Sequence, residues 1–275
     1  MTYKSITTEV CRIAREAGAY LRAEQNKLRI EQVERKHTHD YVSYVDKECE
    51  RRIVAQLREL LPEADFLTEE GICLSETMKK EEFKGNDKKE YLWVVDPLDG
   101  TTNYIHGFNP FAVSIALRKG DHIVVGVVYE VSLDECFSAW YKGGAYLNEK
   151  PIHVSKKNID EALMGIELPY DADMYRTTGT KLIEHFYGLC GGIRMNGSAA
   201  MALCNVACGR WDGWLERGIQ PWDFMAGALI VEEAGGFVTA YQGCPFYLNG
   251  NEVVASNGLI HNDIIHTLEL LHLSA

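Results

Sequence analysis

Tyr91-Leu92-Trp93-Val94-Val95-Asp96-Pro97-Leu98-Asp99-Gly100-Thr101-Thr102-Asn103 is the stretch on which the predicted fold depends. Its first residues are apolar, aromatic or β-branched, which predicts a buried strand. Pro97 has no N–H to donate, so we expect the strand to end at Asp96. Asp99-Gly100 predicts a turn, and the hydroxyl and amide side chains of residues 101–103 are typical of a helix start. A strand end, a helix start and two carboxylates therefore share one small volume.

Two interpretations of Asp96 and Asp99 are open at this point. Asp-Pro and Asp-Gly pairs commonly do no more than form turns and cap helices. Alternatively, the paired carboxylates favour a hard divalent cation, and the backbone N–H groups at the helix start favour an anion such as phosphate. The second interpretation predicts that a metal ion and a phosphate group meet here.

The overall composition excludes several classes of protein. The 275 residues are 46% hydrophobic, which is enough for one large core or two smaller ones. A formal net charge of -12 at pH 7 argues against a surface that holds nucleic acid or anionic lipid through its own charge. A small anionic substrate is compatible with this charge if metal ions reverse the local field.

Neither a leader segment nor a membrane anchor is expected. Charged residues such as Arg12, Glu16 and Arg22 interrupt the apolar positions near the start, and no stretch is long and apolar enough to span a bilayer. The 8 cysteines form no CxxC pair, which favours reduced thiols over a disulfide framework. We therefore expect a cytoplasmic protein without nucleic-acid or membrane partners.

The first half of the chain combines helices with a run of strands. Helical spacing predicts amphipathic helices over residues 5–27 and 46–61, joined by a polar loop, and Phe66-Leu67 predicts a short strand. The charged segment 75–90 is expected to be a surface loop. Between residues 111 and 147, alternating apolar runs separated by short turns predict hairpins and hence an antiparallel sheet.

The second half has a mixed pattern. The expected helices cover residues 178–187, 198–208, 222–233 and 259–271, and the expected strands cover residues 192–195, 211–216, 237–241 and 252–256. We therefore predict an α+β protein with an N-terminal half at residues 1–152 and a C-terminal half at 153–275. Layered helices and sheets place the site in the crevice between the halves.

Further acidic residues stand at the ends of other elements. Glu69 and Glu70 follow a predicted strand, Asp223 opens a predicted helix, and Asp46 opens the second helix. Taken singly, Asp223 is typical of a residue that interacts with the helix dipole at a helix N-terminus, and Glu69 is typical of a solvated acid in a loop. Two carboxylates about 4 Å apart repel by roughly 1 to 4 kcal/mol, so a cluster of four or five persists only with cations among it. Oxygen ligands without His or Cys select Mg²⁺ or Mn²⁺ over zinc.

These stretches together resemble the two signatures of the inositol monophosphatase family. Residues 93–104 (WVVDPLDGTTNY) resemble the first signature, and Trp222-Asp223 with Ala226-Gly227 and residues 233–236 (EAGG) resembles the second. Thr68-Glu69-Glu70, and Asp40-Tyr41-Val42-Ser43 leading to Asp46, are similar to other family stretches, so the resemblance covers most of the chain. It implies a layered αβαβα sugar-phosphatase fold with an antiparallel N-terminal sheet and a mixed C-terminal sheet.

The resemblance also implies a set of metal ligands. Glu69, Asp96 and the carbonyl of Leu98 would hold one Mg²⁺, and Asp96, Asp99 and Asp223 would hold a second. Asp96 would bridge the two ions, and a weaker third ion would bind near Glu69. In two-metal hydrolysis, one ion activates a water for attack on phosphorus and the other stabilises the leaving alkoxide.

Catalytic and substrate-binding roles are implied in the same way. Thr101, hydrogen-bonded to Asp46, would position or deprotonate the attacking water, and the N–H groups of Gly100 and Thr101 would bind phosphate oxygens. Residues that resemble the family's inositol contacts are Gly197, Ser198, Ala199 and Glu216, with Asp99 expected to contact a hydroxyl as well. The alternative for Glu216 is an exposed acid at a strand end.

The resemblance implies a Mg²⁺-dependent phosphomonoesterase that converts myo-inositol 1-phosphate to inositol and phosphate. Relatives with these signatures act on fructose 1,6-bisphosphate, histidinol phosphate or 3′-phosphoadenosine 5′-phosphate; the last group usually has Lys at the position of Thr102. A homodimer and inhibition by Li⁺ are also implied. An alternative of another class is a regulatory binding protein with residual phosphatase activity.

Overall fold

The computed structural model describes residues 1–28, 33–37, 40–71, 90–168, 175–245, 247–248 and 252–273. The expected surface loop at 75–90 lies outside the described residues except for Glu90. None of the helices in the described part of the chain has the length and apolar composition needed to cross a membrane. The 7 cysteines within these ranges are free thiols.

Helices and strands alternate irregularly along the N-terminal part. The elements are α1 (Tyr3–Gln25), β1 (Val33–His37), β2 (Asp40–Ser43), α2 (Tyr44–Leu60), β3 (Asp65–Thr68), β4 (Tyr91–Asp99), α3 (Thr101–Ile105), β5 (Ala112–Lys119), β6 (His122–Glu130), β7 (Glu135–Trp140), β8 (Ala145–Leu147) and β9 (Lys150–Ile152). Both predicted helices and the predicted hairpins are confirmed.

The C-terminal part begins with a 3₁₀ turn at Ile159–Glu161 and also contains a π-helical turn at Tyr175–Gly179. Its other elements are β10 (Leu163–Ile166), α4 (Thr180–Phe186), β11 (Gly192–Arg194), α5 (Ala199–Ala207), β12 (Gly213–Arg217), α6 (Pro221–Glu233), β13 (Phe237–Thr239), β14 (Glu252–Ser256) and α7 (His261–Leu270).

Two sheets carry the fold. The first has the order β3-β4-β5-β6-β7-β8-β9 and the second the order β11-β10-β12-β14-β13. The first is antiparallel from β4 to β9, and only its β3–β4 pair is parallel. The second combines parallel and antiparallel pairs, as predicted.

Helices cover both sheets and separate them, which confirms the αβαβα layering. α1 and α2 pack on one face of the first sheet, α5 and α6 lie between the sheets, and α7 packs on the second sheet. Leu182 and Phe186 of α4 join the same outer core as Ile264 and Leu268 of α7. Because α5 and α6 contact both sheets, the C-terminal half supplies the helices that bury the other face of the first sheet.

Three local predictions need correction. The expected polar loop after α1 contains the hairpin β1–β2, whose polar strands lack the apolar alternation that identifies a strand. The four-residue strand β10 was missed because LMGI is too short and too uniform to show a period. The strand expected to end at Asp96 continues to Asp99, for a reason given below.

Close contact between α6 and β6 depends on Gly126. A Cβ at this position would lie 2.6 Å from the carbonyl oxygen of Ala226, which is backbone and cannot move without shifting the helix. We expect Gly126→Ala to lower the free energy of unfolding by about 1 to 3 kcal/mol through overpacking. Urea unfolding measured by circular dichroism checks this value.

The control for this substitution is Gly188→Ala, because a Cβ there meets nothing within 4 Å. Its effect should stay within about 0.5 kcal/mol. Equal losses of stability in the two variants would contradict the close packing of α6 against β6.

Candidate active site

A bulge in β4 brings Asp96 and Asp99 to one end of the first sheet. Asp96 pairs with Ser114 and Asp99 pairs with Ala112, with a shift in register between them. Pro97 cannot donate to the ladder, so the strand bulges there and then resumes instead of ending. The backbone of both aspartates is therefore held by pairing with β5.

Asp96 is the most buried of the four predicted carboxylate ligands, with 2% of the residue exposed. Its Oδ1 accepts a hydrogen bond from the N–H of Leu98 at 2.8 Å. Burial raises the pKa of Asp96 well above its usual value, and the nearby charges of Glu69, Asp99 and Asp223 raise it further. The structure thus brings together the four acidic side chains that the sequence predicted as metal ligands.

Strand register places Glu69 beside Asp96. β3 runs parallel to β4 with Thr68 opposite Val95, and the N–H of Glu69 donates to the carbonyl of Val95 at 3.2 Å. Glu69 is therefore the first residue beyond the end of β3, at the level where Asp96 follows Val95 in β4. Glu69 is half-buried in the bend after β3, and its charge acts on Asp96.

Asp223 stands in the first turn of α6, and its charge acts on Asp96. Its Oδ2 accepts from the N–H of Gln220 at 2.7 Å, which is the capping role at the start of α6. The hydroxyl of Ser114, the ladder partner of Asp96, donates to the carbonyl of Trp222 at 3.1 Å and holds this helix start against β5. Ser114 was not predicted, since its partner is 108 positions away in the sequence.

Asp99 joins the first sheet to α5. Its Oδ2 accepts from the Ser198 hydroxyl and, at 2.9 Å, from the N–H of Ala200. Burial raises the pKa of Asp99 to about 6, while these hydrogen bonds and others from the N–H groups of Ala199 and Gly100 oppose the rise. The predicted substrate contacts Ser198 and Ala199 thus lie at Asp99, on the side of the site away from β3.

Thr101 and Asp46 approach each other, although the contact is long. The Thr101 hydroxyl lies 3.4 Å from Asp46 Oδ1 and 2.9 Å from the carbonyl oxygen of Leu98, so its one proton has two acceptors. Asp46 is fully buried, and its Oδ2 accepts from the N–H and the hydroxyl of Ser43 at 2.9 and 2.7 Å. Ser43 thereby fixes which carboxylate oxygen faces Thr101.

Gly100 sits where two loops touch. Its φ is +86°, and a Cβ would lie 2.9 Å from the carbonyl oxygen of Pro110 and 3.3 Å from that of Gly197. The Asn103 side-chain amide bridges the same loops by donating to the carbonyls of Pro110 at 2.8 Å and Asn196 at 2.7 Å. The turn of the first signature and the loop that contains Gly197 are therefore in backbone contact.

A pair of glutamates lines the side of the site formed by the second sheet. Glu216 lies near the end of β12, and among the described residues no hydrogen-bond donor reaches its buried Oε2 atom. Burial raises its pKa, and Glu167, Asp223 and Asp99 add to this effect. The alternative of an exposed acid at a strand end is wrong for Glu216.

Sequence reasoning missed Glu167. Its Oε1 accepts from the N–H groups of Asn196 at 2.6 Å and Gly197 at 3.2 Å, and thus holds the loop that leads to Ser198. Burial raises its pKa to about 7 against the effect of these two bonds. The signal for this residue was its place directly after β10, a strand that the sequence pattern did not identify.

The donor set fits a hard cation, because the four acids and the Leu98 carbonyl offer only oxygen. Within the described ranges, no three His, Cys, Asp or Glu side chains already form a ready-made ligand group. A cation is favoured here by the donor type and by the charges of Glu69, Asp99 and Asp223, all of which act on Asp96.

Comparison with known proteins agrees with this arrangement. The model of the inositol monophosphatase family matches residues 2–272. This chain belongs to the inositol monophosphatase family. It is 33% identical to an inositol-1-monophosphatase of Mesorhizobium japonicum over 98% of each chain. It is 36% identical to a Nus factor SuhB of Vibrio cholerae over 90% of this chain and 89% of the relative.

A solved inositol monophosphatase structure from Anabaena superimposes with a TM-score of 0.84 at 35% identity, covering 97% of this chain and 96% of that one. The family and the fold are thus shown independently by sequence and by structure. As a member of the family, the chain is a phosphatase that acts on phosphate monoesters. Members of this family are generally metal-dependent.

The raised pKa of Glu167 predicts a pH dependence of stability. Between the usual value of 4.5 and about 7, the folded chain keeps a proton that the unfolded chain has lost, so stability decreases as pH rises through this range. Glu167→Gln keeps an acceptor oxygen but does not ionise. We therefore expect the variant to gain stability relative to the parent chain between pH 5 and pH 8.

Urea unfolding in EDTA at the two pH values measures this difference. The control is Glu161→Gln, which removes the same charge from an exposed glutamate. A relative gain of the same size in both variants would contradict the assigned environment of Glu167.

Proposed function

We propose that the chain hydrolyses myo-inositol 1-phosphate with Mg²⁺, which Mn²⁺ can replace, held by Glu69, Asp96, Asp99, Asp223 and the carbonyl of Leu98. The observation that carries this proposal is the burial of Asp96 among three further carboxylates. Such a cluster is unfavourable by itself and becomes favourable once cations lie within it. When bound, Mg²⁺ supplies an acidified water and positive charge opposite the leaving oxygen.

Side chains of the protein would accept the proton that the attacking water loses. Thr101 and Asp46 stand together, and Ser43 holds the other oxygen of Asp46, which leaves Oδ1 directed at the Thr101 hydroxyl. A water that donates to Thr101 can pass its proton to this pair. The N–H groups of Gly100 and Thr101 would bind phosphate oxygens; the Gly100 N–H is shared with Asp99.

The alcohol part of the substrate would face the second sheet. Glu216 Oε2 is an acceptor with no donor among the described residues, which suits a substrate hydroxyl. Gly197, Ser198 and Ala199 line the adjacent loop at the start of α5. The names of the Mesorhizobium and Anabaena relatives support inositol as the alcohol.

A regulatory role is the second candidate function, and the relative named Nus factor SuhB supports it. Asp96→Asn separates the two: a regulatory role would survive in the variant while hydrolysis is lost. If the variant fails to rescue the phenotype of cells that lack the protein, the result argues for the enzyme.

The proposal of a Mg²⁺-dependent phosphatase also includes a homodimer, inhibition by Li⁺, a cytoplasmic location and the lack of nucleic-acid and membrane partners.

The proposed specificity predicts the outcome of a phosphate-release assay with Mg²⁺. Myo-inositol 1-phosphate should exceed fructose 1,6-bisphosphate, histidinol phosphate and 3′-phosphoadenosine 5′-phosphate by about a hundredfold in kcat/KM, or about 2.7 kcal/mol. A different preferred member would replace the proposed substrate, and equal rates would indicate a broad phosphatase.

The matched variant in the same assay is Asp96→Asn. It should lower kcat/KM at least about a hundredfold by removing a metal ligand. Its melting temperature in EDTA should rise, because burying a neutral amide costs less than burying a carboxylate. Full activity in Asp96→Asn would overturn the proposed metal site.

Glu216→Gln tests the recognition of the alcohol. The amide offers one acceptor oxygen instead of two, so kcat/KM for myo-inositol 1-phosphate should fall about tenfold or more. p-Nitrophenyl phosphate has no hydroxyl for Glu216 to accept from, and its hydrolysis should change little. Glu59→Gln, on the exposed surface of α2, is the control. Equal losses on both substrates would contradict a role in binding the alcohol.

A further inference from the structure

The proposed metal site has a buried neighbour that sequence reasoning did not single out. Glu50 lies in α2, four residues after Asp46, and is fully buried at 0% exposure. Acids are almost never fully buried unless their oxygens are engaged. The contacts of Glu50 therefore indicate what it does.

Both oxygens of Glu50 bind the residues on either side of Glu69. Oε1 accepts from the Thr68 hydroxyl at 2.9 Å, and Oε2 accepts from the N–H of Glu70 at 2.8 Å. These two contacts reach 18 and 20 positions along the chain. One side chain thus spans the residue that the proposed function uses as a metal ligand.

β3 ends at Thr68, directly before Glu69. The N–H of Glu69 makes a ladder bond to Val95 at 3.2 Å, and the chain then turns through Gly71 at a φ of +67°. A carboxylate that accepts from both flanking residues restricts rotation of the backbone at Glu69. The chain on both sides of Glu69 is thereby held in place relative to α2.

We propose that Glu50 is a positioning residue that holds Glu69 in a metal-binding orientation, an inference that rests on the proposed function. Its two oxygens are directed at Thr68 and Glu70, so it acts through Glu69. α2 is then a template for the site. Asp46 in its first turn faces Thr101, the Cys49 thiol contacts the carbonyl of Pro97 at 3.5 Å, and Glu50 holds the end of β3.

The test measures divalent-ion binding directly. In Glu50→Gln, the amide oxygen can still accept from the N–H of Glu70, but the NH₂ group can only donate to the Thr68 hydroxyl, which reverses that hydrogen bond and loosens the clamp. The affinity for Mn²⁺, followed by electron paramagnetic resonance without substrate, should fall about tenfold. The Mg²⁺ concentration for half-maximal hydrolysis should rise by a similar factor, and kcat should recover at saturating Mg²⁺.

Two further variants make the experiment decisive. Glu48→Gln removes the same charge from the exposed face of α2, where Glu48 pairs with Arg51 and Arg52, and should leave Mn²⁺ affinity unchanged. Thr68→Val removes one donor with little change in volume and should weaken Mn²⁺ binding about threefold. It also covers the case in which Glu50→Gln does not fold.

Each outcome has a defined meaning. Unchanged Mn²⁺ affinity in Glu50→Gln with a lowered melting temperature in EDTA would show a purely structural role and overturn the proposal. If Glu50→Gln does not fold, unchanged affinity in Thr68→Val overturns it instead. Failure of the parent chain to bind Mn²⁺ or to require Mg²⁺ would overturn the proposed function itself, and the positioning role with it.

Discussion

The mutual repulsion of buried carboxylates is the constraint on which the rest of this structure depends. Asp96 is enclosed, and three acids raise its pKa. A fold can hold such groups only by surrounding them with donors, because an unpaired buried charge costs several kcal/mol. The chain does so with backbone N–H groups of Leu98, Ala200 and Gln220, which donate to Asp96, Asp99 and Asp223 respectively.

The same donors tie the layers together. Asp99 projects from the first sheet but is held by the first turn of α5, and Ser114 holds the first turn of α6. Both helices begin at the site and then run between the sheets. The packing of the central layer and the arrangement of the acidic side chains thus depend on the same contacts, since neither helix start can shift without moving a carboxylate or its partner.

Much of this could be predicted from the sequence, because local patterns carry it. The apolar run before Asp96 and the hairpins after Phe111 follow from residue type and period. Pro97 led to a wrong prediction of the strand end, because the strand resumes after the bulge by pairing with β5, and that pairing is not visible in the local sequence. Glu50, Glu167 and Ser114 were out of reach, because each acts on a partner 18 or more positions away and looks ordinary beside its own neighbours.

The contact of Gly100 with the backbone of Gly197 has a consequence for how such a site can change its preference. The turn that would face phosphate and the loop that would face the alcohol are in backbone contact and are joined further by the Asn103 amide, so neither can be displaced without the other. Room for a larger alcohol therefore has to come from the side of the site where Glu216 lies in β12, because Glu167 itself holds the Gly197 loop in place. We expect substrate preference to differ between related proteins on the Glu216 side, while the contact between Gly100 and the Gly197 loop is constrained by the chemistry at phosphorus.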